Sequence, residues 1–205
     1  MVRYVEVATP DGADVYVGGG VITTFRYGAG DGAGSELVAN GTTLRTPIQV
    51  GARLHVYAPP AGVKEIEVRV GGRTARKLAV VAAPAALAAP KLKTVSSNAP
   101  KPRRTRAVAQ QAIDSTQMIV TLTAAPPDDA FALLAYVGRS KTTMPRAWIP
   151  VQKGVTAYTV QTGGKACAGG TADPTFVGDH LRFAWLDRGG RVSAMSTMLR
   201  VAKHR

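Results

Sequence analysis

Glycine and proline recur so often between short apolar runs that the chain has little room for a long helix. There are 22 Gly and 13 Pro in 205 residues. Glycine weakens a helix interior and proline breaks it, whereas both suit the turns between short strands. The runs between them are rich in Val, Ile, Thr, Tyr and Phe, side chains that pack well on a pleated surface. An all-β chain is the expectation. Hydrophobic residues at 45% and charged residues at 19% are ordinary for a folded protein and exclude an intrinsically disordered one.

Residues 1–81 read as an N-terminal β domain. Tyr4–Val7 ends at Thr9-Pro10-Asp11-Gly12, and Val15–Val17 leads through Gly18-Gly19-Gly20 into Val21–Tyr27. Val63–Val70 alternates most clearly, with Ile66, Val68 and Val70 on one side and Glu65, Glu67 and Arg69 on the other. That is the pattern of a half-buried antiparallel strand. Gly71-Gly72-Arg73 then turns the chain, and Thr74–Val81 returns. Residues 82–106 change in composition, with Pro84, Pro90, Pro100 and Pro102 set among Ala, Lys and Arg, and read as an extended linker.

Residues 107–205 read as a second β domain. Phe131–Val137 is continuously apolar, as a central strand would be. Leu181, Phe183 and Trp185 alternate with His180, Arg182 and Ala184 before Asp187-Arg188-Gly189-Gly190 turns the chain, and Arg191–Val201 is expected to return as the partner strand. The stretch Ala184-Trp185-Leu186-Asp187-Arg188-Gly189-Gly190-Arg191-Val192-Ser193-Ala194 resembles the final hairpin of a fibronectin type III or immunoglobulin-like domain. The resemblance implies a Greek-key sandwich used for display, spacing or adhesion. The expected architecture is two small antiparallel β-sandwiches of that kind, in tandem.

Chemistry-bearing residues are few and scattered. His55, His180 and His204 lie far apart in sequence and form no ligand motif, so no metal is expected. Cys167 is the single thiol, which excludes an intramolecular disulfide; its glycine-rich loop is weighed as a reactive site and read as a loop. The Gly28–Gly34 run lacks the spacing and the following helix of a dinucleotide loop, and Asn40-Gly41-Thr42 fits the glycosylation pattern but, without a secretory signal, reads only as a loop. No catalytic residue and no cofactor are assigned, and the chain is not expected to be an enzyme.

Charge supplies the remaining signal. The net charge is +13, divided as +2 over residues 1–90, +5 over 91–117 and +6 over 118–205. Its densest part holds Lys91, Lys93, Lys101, Arg103, Arg104 and Arg106, candidate contacts for an anionic partner. No aromatic residue is interleaved there, so any nucleic-acid binding would be non-specific. Trp148 is the candidate interface aromatic.

The start of the chain shows no basic segment followed by an apolar one, so no signal peptide is expected. The longest low-charge stretch, broken by Pro84, is too short to span a bilayer. The leading expectation is a structural or assembly protein contacting copies of itself or other subunits, such as a bacteriophage virion component, located in the virion or cytoplasm. A non-specific nucleic-acid-associated protein is the alternative, and an extracellular adhesion or carbohydrate-binding module the third reading.

Overall fold

A computed structural model describes residues 2–28, 34–51, 53–99, 116–138, 145, 147–161 and 175–204, and all of their regular structure is strand. The all-β expectation holds. The chain divides into two compact units: Met1–Ala86 with Leu186–Val192, and Leu87–Trp185 with Ser193–Arg205.

In the first unit, one sheet runs in the order β1 (Val2–Val7), β3 (Val21–Gly28), β7 (Leu54–Tyr57), β6 (Ile48–Gly51). The other runs β2 (Val15–Tyr16), β9 (Arg73–Val81), β8 (Glu65–Val70), β4 (Ser35–Ala39), β5 (Thr42–Thr43). Neighbours are antiparallel except β2, which lies parallel to the end of β9 through Val15 and Val80. Val21 and Tyr57 from the first sheet meet Val15, Leu37, Ile66 and Leu78 from the second in one buried cluster, a sandwich-like arrangement. Each fully buried aliphatic side chain there contributes about 1.5–3 kcal/mol.

The alternation read in β8 is present, with Ile66 and Val68 buried beneath a solvated row of Glu65, Glu67 and Arg69. Val70 departs from it and stands 40% exposed, because the chain is already turning at Gly71 and Gly72, both at positive φ. Asn40 and Gly41, at φ 48° and 74°, likewise join β4 to β5, the conformation that favours an Asn-Gly pair.

In the second unit, one sheet runs β14 (Ala157–Gln161), β11 (Gln117–Leu122), β10 (Leu92–Ser97), β17 (Ala202–Lys203). The other runs β13 (Ala147–Pro150), β12 (Ala130–Val137), β15 (His180–Asp187), β16 (Leu199–Arg200). Met118, Val120 and Tyr158 from the first face Leu133, Ile149, Leu181 and Phe183 from the second across a shared core. β12 is buried along nearly its whole length, which explains its unbroken apolar run.

Two expectations need correction. Part of the stretch read as linker is a strand: β10 pairs antiparallel with β11 and parallel with β17. The prolines flank β10 rather than interrupt it, and Val95 and Ser97 are buried, with the Ser97 hydroxyl donating to Thr175 O at 2.6 Å. The return arm of the last hairpin is not one continuous strand either. Leu186 faces Val192, yet Leu181 faces Leu199, so six residues of β15 are spanned by eight of the arm. The surplus is absorbed as bulges, which bend an edge and take it out of ladder register.

Candidate partner-binding surface

The first unit carries an open cleft of about 250 Å³. One wall is Ile48, Val50 and Val56 of the β6–β7 pair with Ala58 and Pro59; the other is Gly18, Gly19 and the Gly190-Arg191-Val192 segment. Close backbone approach builds this second wall. Gly189 O accepts from Tyr16 N at 3.2 Å and from Gly20 N at 2.9 Å. Side chains are excluded here: a β-carbon on Gly189 would run into the Tyr16 ring, and one on Gly19 into Gly189 O.

Arg191 fixes the wall. Its Nε donates to Asp187 Oδ2 at 2.8 Å, its Nη1 donates to Pro84 O at 2.8 Å, and its guanidinium carbon lies 4.8 Å from the Tyr16 ring centre. Asp187 also accepts from the Arg191 amide, so the turn is clamped from both sides. Nε and Nη1 are therefore engaged by the fold while Nη2 is buried without a hydrogen-bond partner, and the cleft presents mostly apolar surface. Ile48 is 62% exposed at its rim and Val192 42%. Such a surface offers contact to an apolar side chain and supplies neither a base nor a nucleophile.

Of the residues singled out for an anionic partner, Lys91 and Lys93 lie exposed at the start of β10, where the ladder shifts register. Neither pairs with a carboxylate among the described residues. Lys101, Arg103, Arg104 and Arg106 lie outside the described residues, as do Cys167 and most of the Gly28–Gly34 run. Trp148 sits half-buried on β13 and stacks on Phe131 with ring centres 6.5 Å apart and planes 14° off parallel.

His55 is buried against Phe25, their rings edge to face with centres 4.4 Å apart. Among the described residues no three His, Cys, Asp or Glu side chains converge as a metal set would require, and no helix is long and apolar enough to cross a membrane.

Two ion pairs lie side by side on one sheet face of the first unit. On β8 and β9, Arg69 and Thr74 hydrogen-bond to Glu67, and the Arg69 contact holds its carboxyl below the usual value. Lys77 bonds to Glu65 at 2.7 Å, which raises the ammonium above its usual value. Both pairs are solvated, so they orient the sheet face more than they stabilise it.

Sequence reasoning missed the cleft and the Arg191 clamp. The available signal was the Gly18-Gly19-Gly20 and Gly189-Gly190 runs, which mark backbone approaching backbone, but nothing in the sequence pairs the two. Compared with known proteins, the chain matches no family model and no curated protein sequence.

Proposed function

We propose that this chain is a non-catalytic structural protein acting through protein–protein contacts, as a subunit of a larger assembly such as a bacteriophage virion. The observation that carries the reading is the exposed apolar rim, Ile48 and Val192, around an open apolar cleft on a strongly basic chain. Exposed apolar surface gathered at a concavity is characteristic of contact sites rather than of ordinary solvated surface.

The same proposal gives each unit an immunoglobulin or fibronectin type III-like topology. In the second unit, the order β14-β11-β10-β17 opposite β13-β12-β15-β16 supports it, since a Greek-key sandwich likewise divides its strands between two facing sheets. In the first, the parallel pairing of β2 with β9 supports it. Such scaffolds serve as spacers and display platforms.

Light scattering on the native particle, at low and high salt and after nuclease, tests the function. A mass well above one chain that survives both treatments is expected. A single-chain mass under every condition, with no partner co-purifying, overturns the reading.

Exposed Lys91 and Lys93, beside the rest of the basic segment in sequence, favour a second reading, non-specific binding to nucleic acid. On that reading retention on duplex falls steeply with salt. Retention that survives replacement of Lys91, Lys93, Lys101, Arg103, Arg104 and Arg106 by Gln rules it out.

A further inference from the structure

Exposed sheet edges offer unpaired backbone groups to other chains, and proteins usually blunt them with charge, proline, bulges or shortness. The described edges here follow that rule with one exception. β2, β5, β16 and β17 have two residues each, β1 carries Arg3 and Glu6, β6 follows Pro47 and contains a register shift, and β13 ends in Pro150. β14 has five residues, Ala157-Tyr158-Thr159-Val160-Gln161, with no charge and no proline. It ends its sheet on one side.

The register shows which backbone groups point outward. Leu122 N donates to Thr156 O at 2.8 Å, and Ile119 stands opposite Thr159. In an antiparallel ladder, residues alternate between bonding the neighbour and facing away from it. Thr156, Tyr158 and Val160 therefore bond toward β11, whereas the N–H and C=O of Thr159 face the open side. The edge is also held in shape: the Tyr158 hydroxyl donates to Val155 O at 2.8 Å, tying the preceding turn to the strand.

We propose that β14 is a docking edge for a second copy of this chain, paired antiparallel about a two-fold axis through Thr159. The proposal rests on the assembly reading above and names one of its contacts. On this axis Thr159 of each copy exchanges both backbone hydrogen bonds with the other, and Tyr158 faces Val160 of the second copy. The pairing is self-complementary, as a two-fold interface must be.

Charge selects the occupant. At a net charge of +13, two copies carry a net like-charge repulsion. The outward sheet face beside this edge presents Thr94, Ser96, Ile119, Thr121 and Thr159, none of them charged. Lys153, in the turn before β14, is paired with Asp128 at 3.1 Å, and Lys93 stands two strands away. Among the described residues a second copy thus meets no opposing like charge along the strand, while an anionic partner finds no cation on it.

The test is light scattering or sedimentation of the full chain across concentration, for wild type, Thr159→Lys and Thr159→Val. Wild type is expected to reach at least twice the single-chain mass, and Thr159→Val to match it. Thr159→Lys places two ammonium groups across the axis and is expected to raise the dissociation constant by up to about fivefold. Its unfolding midpoint should equal that of the dissociated wild type, because the Thr159 side chain is exposed.

A wild type that stays at single-chain mass overturns the pairing. So does loss of pairing in Thr159→Val, or a larger particle whose mass Thr159→Lys leaves unchanged. That last result leaves the assembly reading standing, which separates the two failures.

Discussion

Ser196 and Phe183 exchange two hydrogen bonds, and only one of them joins backbone to backbone. Ser196 N donates to Phe183 O at 2.7 Å, while Phe183 N donates to the Ser196 hydroxyl at 3.0 Å. Ser193 treats Trp185 the same way, its amide donating at 2.9 Å and its hydroxyl accepting at 2.9 Å. Where the return arm is too long to keep register with β15, a serine hydroxyl stands in for the missing strand carbonyl. Both donors on β15 are thereby satisfied without a regular partner strand.

Ser196→Ala is therefore expected to leave the buried Phe183 N–H without an acceptor, at about 1–3 kcal/mol of stability. Ser193→Ala should cost less, about 0.5–1.5 kcal/mol, because Ser193 is more accessible to water. Denaturant unfolding measures both. Equal stability of Ser196→Ala and wild type would mean that the hydroxyl does not carry this bond.

Arg191 and Asp187 form an ion pair at 2.8 Å with side chains 16% and 3% exposed. Removing one member of a pair this buried leaves an uncompensated charge, so Arg191→Ala is expected to cost about 3–5 kcal/mol. Arg191→Lys should recover only part of that. A single ammonium cannot bond Asp187 and the Pro84 carbonyl and also lie flat over Tyr16. Thermal unfolding of the two variants distinguishes a planar fork from a simple charge; full recovery by lysine would refute the fork.

Gly189 lies against Tyr16 so closely that a methyl group has no room. Gly189→Ala is expected to destabilise by about 1–3 kcal/mol through overpacking. The double variant Gly189→Ala with Tyr16→Ala should lose less than the sum of the two single changes, since the clash disappears with the ring. Strict additivity in the double-mutant cycle would show that the ring is not the obstacle.

These features mark where the sequence was legible and where it was not. Strand content and many of the strand positions follow from local alternation and turn residues, as in β8 with its Gly71-Gly72 turn, because those signals are carried within a few residues. β10 is hidden by composition: the flanking prolines oppose a strand locally, and the burial of Leu92 and Val95 depends on pairing with β11. The Ser193 and Ser196 contacts were hidden because a serine in a β-like run reads as solvent-facing, and its role here follows from a register mismatch set elsewhere in the hairpin. The cleft is least legible of all, since its walls come from residues 18–19, 48–59 and 190–192 and meet only in the fold.

Tyr136 supplies a pH-dependent check on the packing around β12. It is 5% exposed, and burial pushes its phenol above the ordinary value of 10.0. Below that value the phenol is neutral in both folded and unfolded chains and contributes no pH dependence. As pH rises past it, the unfolded chain releases the proton while the folded chain keeps it, so stability must fall. The slope from this one group approaches about 1.4 kcal/mol per pH unit until the folded phenol also ionises. Tyr136→Phe keeps the ring and removes the proton, so its stability should decline less steeply on the alkaline side, with little difference in slope near neutrality. Unfolding midpoints measured for both proteins across the alkaline range test this. Parallel curves for the two would mean that Tyr136 ionises as readily in the folded chain as in the unfolded one, and that water reaches the outer end of β12.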